Sequence, residues 1–189
     1  KTVWDSKTIN SIMITAAESI GIEGRVAFYE QTGALRDFVQ SHLLQLLALV
    51  AMEQPEKMDS DSIHAKKLEL LRAIKSISPD KVAEQAVRGQ YEGYLEEVHN
   101  HSSVTETYAA LRLEIDTPRW RHVPVLLRTG KAMAEKVTEI TLTFKKDKGV
   151  KNVNENIEAS AQRKMPGWLN VEKEQYKATI LSIKAQIEQ

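Results

Sequence analysis

At 189 residues the chain is long enough for one domain with a substantial core, on the usual scale of about 150 residues per domain. Its 26 basic and 26 acidic residues cancel, which excludes a net field that would recruit nucleic acid or an anionic membrane and leaves any phosphate site to a local cluster of cations. The absence of cysteine excludes disulfides and thiolate chemistry and fits a reducing, cytoplasmic setting; no signal peptide is visible, and no apolar run is long enough to span a bilayer.

Residues 8–17 alternate around Ile12, Ile14 and Ala16 and are rich in β-branched side chains, so they are read as a strand. Glu18 follows at its end, where a carboxylate is well placed to meet a ligand, although most glutamates in such places are only solvated. Gly21 and Gly24 mark a loop, and neither belongs to a Gly-x-Gly-x-x-Gly dinucleotide motif. A helix at about 34–53 follows, entered sharply at Gly33 and closed at Pro55. From Leu43 on, Gln45 is its only polar residue before the end, so the helix is expected to be buried on all sides. Its first half, Arg36 to His42, is polar and is expected to line a cleft.

Asp37 and His42 admit two readings. In one, Asp37 complements the helix dipole and His42 donates to a carbonyl. In the other, Asp37 accepts from ligand hydroxyls and His42 moves a proton, imidazole being the side chain that changes charge near neutral pH. At roughly 100° per residue in an α-helix the two stand about 140° apart, placed to flank a ligand but not to form a tight dyad.

Asp59 to Ser62 offers N-caps for a helix to about residue 77, with Ile63, Leu70, Leu71, Ile74 and Ile77 on one side, and residues 80–87 are read as a further short helix. His99 and His101 sit in a polar loop with no further ligand pattern, and no metal site is assigned. Residues 105–116 and 138–145 alternate as strands; 156–164 and 174–183 do so more weakly, with a turn at Met165-Pro-Gly167 between them. The cation-bearing stretch 119–136, with Pro124, Arg128, Gly130, Lys131 and Lys136, is read as a folded connection, and the lysine-rich 145–151 as a solvated loop. Helices first and strands afterwards predict an α+β domain, a mainly antiparallel sheet packed against helices.

Five strings occur in order: Glu-Gly-Arg-x-x-Phe-Tyr at Glu23, Arg-Asp-Phe-Val-Gln-Ser-His-Leu-Leu-Gln at Arg36, Val-Ala-Met-Glu at Val50, Val-Arg-Gly-Gln-Tyr at Val87 and Leu-Arg-Thr-Gly-Lys at Leu127. Together they closely resemble the C-terminal, substrate-binding and dimerisation domain of glucose-6-phosphate dehydrogenase, densely from Trp4 to Phe144 and loosely over 154–180. The resemblance implies NADP-linked oxidation of glucose 6-phosphate to its lactone, the first step of the oxidative pentose phosphate pathway. It makes His42 the general base, Glu18 and Asp37 the readers of sugar hydroxyls, and Lys131 and Lys136 substrate-binding cations. It also implies a homo-oligomer formed through the sheet, with neither nucleic acid nor membrane as partner.

The 189 residues contain neither the family's nucleotide-binding domain, which binds most of the NADP, nor the His-Tyr-x-Gly-Lys segment that grips the phosphate and supplies the carboxylate partner of the base. They are expected to form a single C-terminal-type domain over 1–189, shortened after about 145 and at its far end, with little or no dehydrogenase activity alone. Val137 stands where mammalian relatives place a basic residue for a second, structural NADP, so no such site is expected. The alternative is a non-catalytic binding or assembly module that keeps the fold; retention of Glu18, Asp37, His42, Lys131 and Lys136 favours the enzyme.

Overall fold

Even-numbered side chains of β1 (Ile9–Ala17), namely Ile12, Ile14 and Ala16, turn into the main core, while Ser11, Met13 and Thr15 face the other way, the period of two that a strand imposes. The structure is a computed structural model that describes residues 4–145. After β1 come α1 (Val26–Ala34), a π-helical segment (Leu35–Leu43), α2 (Leu44–Ala51), α3 (Ser60–Arg72), a 3₁₀ turn (Pro79–Lys81) and α4 (Val82–Gln85). These are followed by β2 (Ala86–Gly89), α5 (Tyr94–Glu97), β3 (Tyr108–Glu114), β4 (Pro124–Gly130) and β5 (Val137–Phe144). The strands form one sheet in the order β2-β3-β4-β1-β5, in which β1 and β4 run parallel and the other neighbours antiparallel. The α+β class and the mainly antiparallel sheet are as predicted. The strands expected at 156–164 and 174–183 and the turn between them lie outside the described residues.

Two strands went unread in the sequence. β4 is the middle strand, with Val125, Leu127 and Thr129 buried in alternation, yet its ends are Pro124 and Gly130, which read as turn residues. Proline is tolerated at the first position of a strand. Gly130 is required by a neighbour: an added Cβ would come 2.8 Å from the Tyr108 ring and 2.9 Å from Met133 Sδ. β2 has four residues and pairs with β3, so only a non-local partner makes it a strand; the predicted helix stops at Gln85 instead of running on to Val87.

The central helix also departs from expectation. Leu35, Val39, Leu43, Leu44, Leu47, Ala48 and Ala51 are buried against the sheet and α3, but Gln45 is exposed and Leu49 is 51% exposed. It is therefore not enclosed on all sides. Its apolar string covers one face of a sheet, and a helix lying on a sheet keeps an outer side. Its last carbonyls are satisfied by two indoles: Trp4 Nε1 donates to Val50 O at 2.8 Å and Trp120 Nε1 to Ala51 O at 2.7 Å. The N-cap of α3 is as expected, Asp59 accepting from Ser62 N–H at 2.8 Å. In β5, Leu142 packs against the core, but Ile140 and Phe144 are 42% and 51% exposed, so the expected covered face is covered only in part.

Candidate active site

Glu18 and Lys131 each stand one residue beyond the end of a strand, and those strands are neighbours. The parallel register sets Ala17 against Gly130, so the following residues meet: Glu18 N–H donates to Gly130 O at 2.9 Å, and Lys131 Nζ donates to Glu18 Oε2 at 2.5 Å. On the other side of β1 the antiparallel register sets Ala17 against Val137, which brings Lys136 opposite Glu18. Three predicted site residues thus share one end of the sheet, the end where parallel strands present their C-termini to ligands. Lys131 is 4% exposed and Lys136 is exposed. The third cation of that stretch, Arg128, does not join them. It lies in register with Thr15 and Ala110, out of phase with Val125, Leu127 and Thr129, and so faces away from the helices.

Above this sheet end Tyr29 of α1 presents its ring to Lys131, with Nζ 5.6 Å from the centroid. Burial pushes the Tyr29 hydroxyl far above its ordinary range, and the charges of Glu106 and Asp37 push it further, so it stays protonated. Asp37 therefore acts on the same residue that touches Lys131. It stands in the first turn of the π-segment, partly buried. His42 lies further along, exposed, its ring 5.0 Å from that of Phe38 and tilted by 56°.

The π-geometry changes how Asp37 and His42 relate. Leu44 N–H donates to Val39 O, five residues back, and Ser41 Oγ donates to Arg36 O, also five back, at 2.8 Å. Such wider turns set residues five apart closer around the axis than the about 140° of α-geometry; the ring contact of His42 is with Phe38, four residues back.

Glu106 fixes the entry to this segment. Its carbonyl accepts from Ala34 N–H and its carboxylate from Leu35 N–H, both at 2.9 Å, and Arg88 Nη1 of β2 stands 3.6 Å from its other oxygen. Burial pushes the Glu106 carboxyl above its ordinary value, against the opposing pull of the Leu35 N–H and the nearby guanidinium groups. Tyr29 and Glu106 were given no role on sequence grounds. Both act across the fold on residues distant in the chain, so no local periodicity marks them.

Of the predicted residues, Glu18, Lys131 and Lys136 share the sheet end; carboxylates there and at Asp37 can accept from hydroxyls, the ammonium groups can pair with an anion, and an exposed imidazole such as His42 can take a proton. A family profile described as "Glucose-6-phosphate dehydrogenase, C-terminal domain" matches residues 1–188. The chain is 46% identical over 152 residues to a glucose-6-phosphate 1-dehydrogenase of Gluconobacter oxydans, which covers 75% of this chain and 31% of that protein. It is 49% identical over 145 residues to glucose-6-phosphate 1-dehydrogenase 1 of Mycobacterium tuberculosis, covering 76% of this chain and 30% of that one. Among solved structures, glucose-6-phosphate 1-dehydrogenase from Mycobacterium avium superposes with a TM-score of 0.72 at 49% identity, covering 78% of this chain and 32% of that one. A glucose-6-phosphate dehydrogenase in complex with its substrate glucose-6-phosphate gives 0.70 at 32% identity, over 77% and 31%. The chain thus spans about a third of the length of these relatives.

Proposed function

This chain belongs to the glucose-6-phosphate dehydrogenase family by its C-terminal domain, and from that premise we propose that it is the substrate-binding and dimerisation domain of an NADP-dependent enzyme that oxidises glucose 6-phosphate to 6-phosphogluconolactone. The observation that carries the reading is the Glu18–Lys131 pair at the C-terminal ends of the parallel strands β1 and β4, with Lys136 beside it in register and the polar π-segment above.

In this reading His42 takes the proton of the C1 hydroxyl, Glu18 and Asp37 accept hydrogen bonds from other sugar hydroxyls, and Lys131 and Lys136 offset the phosphate's charge of about −1.5 to −2. NADP supplies the acceptor for the hydride. The turn after β1 has Gly21 and Gly24 but no Gly-x-Gly-x-x-Gly pattern. The chain's own part is to bind, orient and deprotonate the sugar. A cytoplasmic location accords with this role. No helix among the described residues is long and apolar enough to cross a membrane.

The sheet face turned away from the helices is the proposed dimer surface. The 189-residue chain alone is expected to turn over glucose 6-phosphate with NADP little or not at all. Joined in frame to the part of the Gluconobacter relative that it does not match, it is expected to reduce NADP, and His42→Asn in that joined enzyme should lower kcat by about 10²–10⁴-fold. An undiminished kcat would remove His42 from the mechanism.

A further inference from the structure

We propose that Tyr29 is a positioning residue of this site: its ring is the platform that holds the ammonium of Lys131 in one orientation, leaving the donors not engaged by Glu18 turned toward the substrate. The proposal rests on the reading of Lys131 as a substrate-binding cation.

Lysine carries a compact charge on a flexible four-carbon stem, so one that is to meet a phosphate or hydroxyl oxygen in fixed geometry needs support on more than one side. Lys131 is 4% exposed, which lysine seldom is unless partnered. Glu18 Oε2 takes one of its three N–H donors at 2.5 Å. The Tyr29 ring lies under the ammonium, 5.6 Å from its centroid, within the range of a cation–π contact. With only the carboxylate, the head group would turn fully toward Glu18, since a single anion is a stronger attractor than any other neighbour. The ring opposes that by attracting the ammonium from a second direction.

Tyr29 is suited to the task because it is itself fixed. It is 1% exposed and meets Tyr94 edge-on at 6.3 Å; Tyr94 in turn meets Tyr91 at 5.4 Å and donates to Glu30 Oε1 at 2.5 Å. Tyr91 donates to Glu97 and receives the Ile22 N–H at 3.3 Å, which ties the cluster to the loop that follows β1. The platform therefore couples the sheet end carrying Glu18 and Lys131 to α1, which runs into the segment carrying Asp37.

The experiment follows the Lys131 side chain by NMR in the full 189-residue chain, with Lys131→Arg used to assign its signals. Three results are expected: the ε-methylene protons of Lys131 lie upfield through the ring current of Tyr29, Tyr29→Phe preserves this shift, and Tyr29→Leu and Tyr29→Met abolish it. In the joined enzyme the ringless variants are also expected to weaken glucose 6-phosphate binding by about threefold to tenfold, and Tyr29→Phe to hold it within about twofold. An unshifted Lys131 in the wild-type chain overturns the proposal without recourse to any variant, as does a shift that survives loss of the ring. In the joined enzyme, which restores the rest of the substrate site, a Lys131 that carries the ring-current shift but is unmoved by saturating glucose 6-phosphate overturns the substrate-binding reading instead.

Discussion

At φ 62° and ψ 179°, Gly33 holds a backbone conformation essentially reserved for glycine, and an added Cβ would stand 2.5 Å from Glu106 Oε1. That carboxylate is anchored by Leu35 N–H and Arg88, so it has little freedom to retreat. Gly33→Ala is expected to cost about 1–3 kcal/mol from the backbone alone, read as a lower urea midpoint; an unchanged midpoint would show that the kink relaxes without cost. The tyrosine cluster has a pH signature. Burial, first of all, raises the hydroxyls of Tyr29, Tyr91 and Tyr94 well above the ordinary 10.0. A pKa raised by folding contributes stability that is complete below the unfolded value and is lost as pH rises above it. The cluster should therefore hold at neutral pH and weaken above about pH 10, with tyrosinate absorbance appearing together with unfolding; ionisation of these residues in a still-folded chain would contradict the shifts.

At the scale of elements, the helix over Leu35–Ala51 does two jobs with its two halves. Residues 44–51 are held by burial and by two indole caps, while the π-segment before them carries Asp37 and His42. A π-turn is a costly irregularity, frequent at functional sites, and here it is bounded at its entry by Glu106 and at its exit by Leu43, which is fully buried. Trp120→Phe keeps most of the buried ring but leaves the Ala51 carbonyl without its donor, at an expected cost of about 1–3 kcal/mol. Equilibrium denaturation checks this. A loss below a few tenths of a kcal/mol would mean that another donor replaces the indole.

For the molecule as a whole, the described helices lie on one face of the sheet. On the other face Thr15 and Tyr108 are buried, while Thr141, Met13, Leu126 and Arg112 form a row across four strands in which Leu126 is 38% exposed. An isologous contact through this row would join two copies about a two-fold axis and cover the exposed apolar area. Sedimentation of the chain over a range of concentrations is expected to show a dimer that Leu126→Lys weakens, since a charge placed at the centre of such a contact is buried without a partner. Sedimentation unaffected by the substitution would move the dimer surface elsewhere.

By itself the sequence determined β1, the span of the central helix, the Asp59 cap, the burial of alternate residues along β3 and the family, because each is written in local periodicity or in contiguous strings. Only the tertiary structure decided that Pro124–Gly130 is the middle strand, that Arg128 faces away from Lys131, and that Glu18, Lys131 and Lys136 share one sheet end. Strand pairing is a contact between segments far apart in the chain, so its register leaves no mark in either segment alone. The π-segment has the same origin: an i to i+4 pattern and an i to i+5 pattern look alike in nine residues, and the anchoring of Leu35 by Glu106, from far along the chain, belongs to packing and not to propensity.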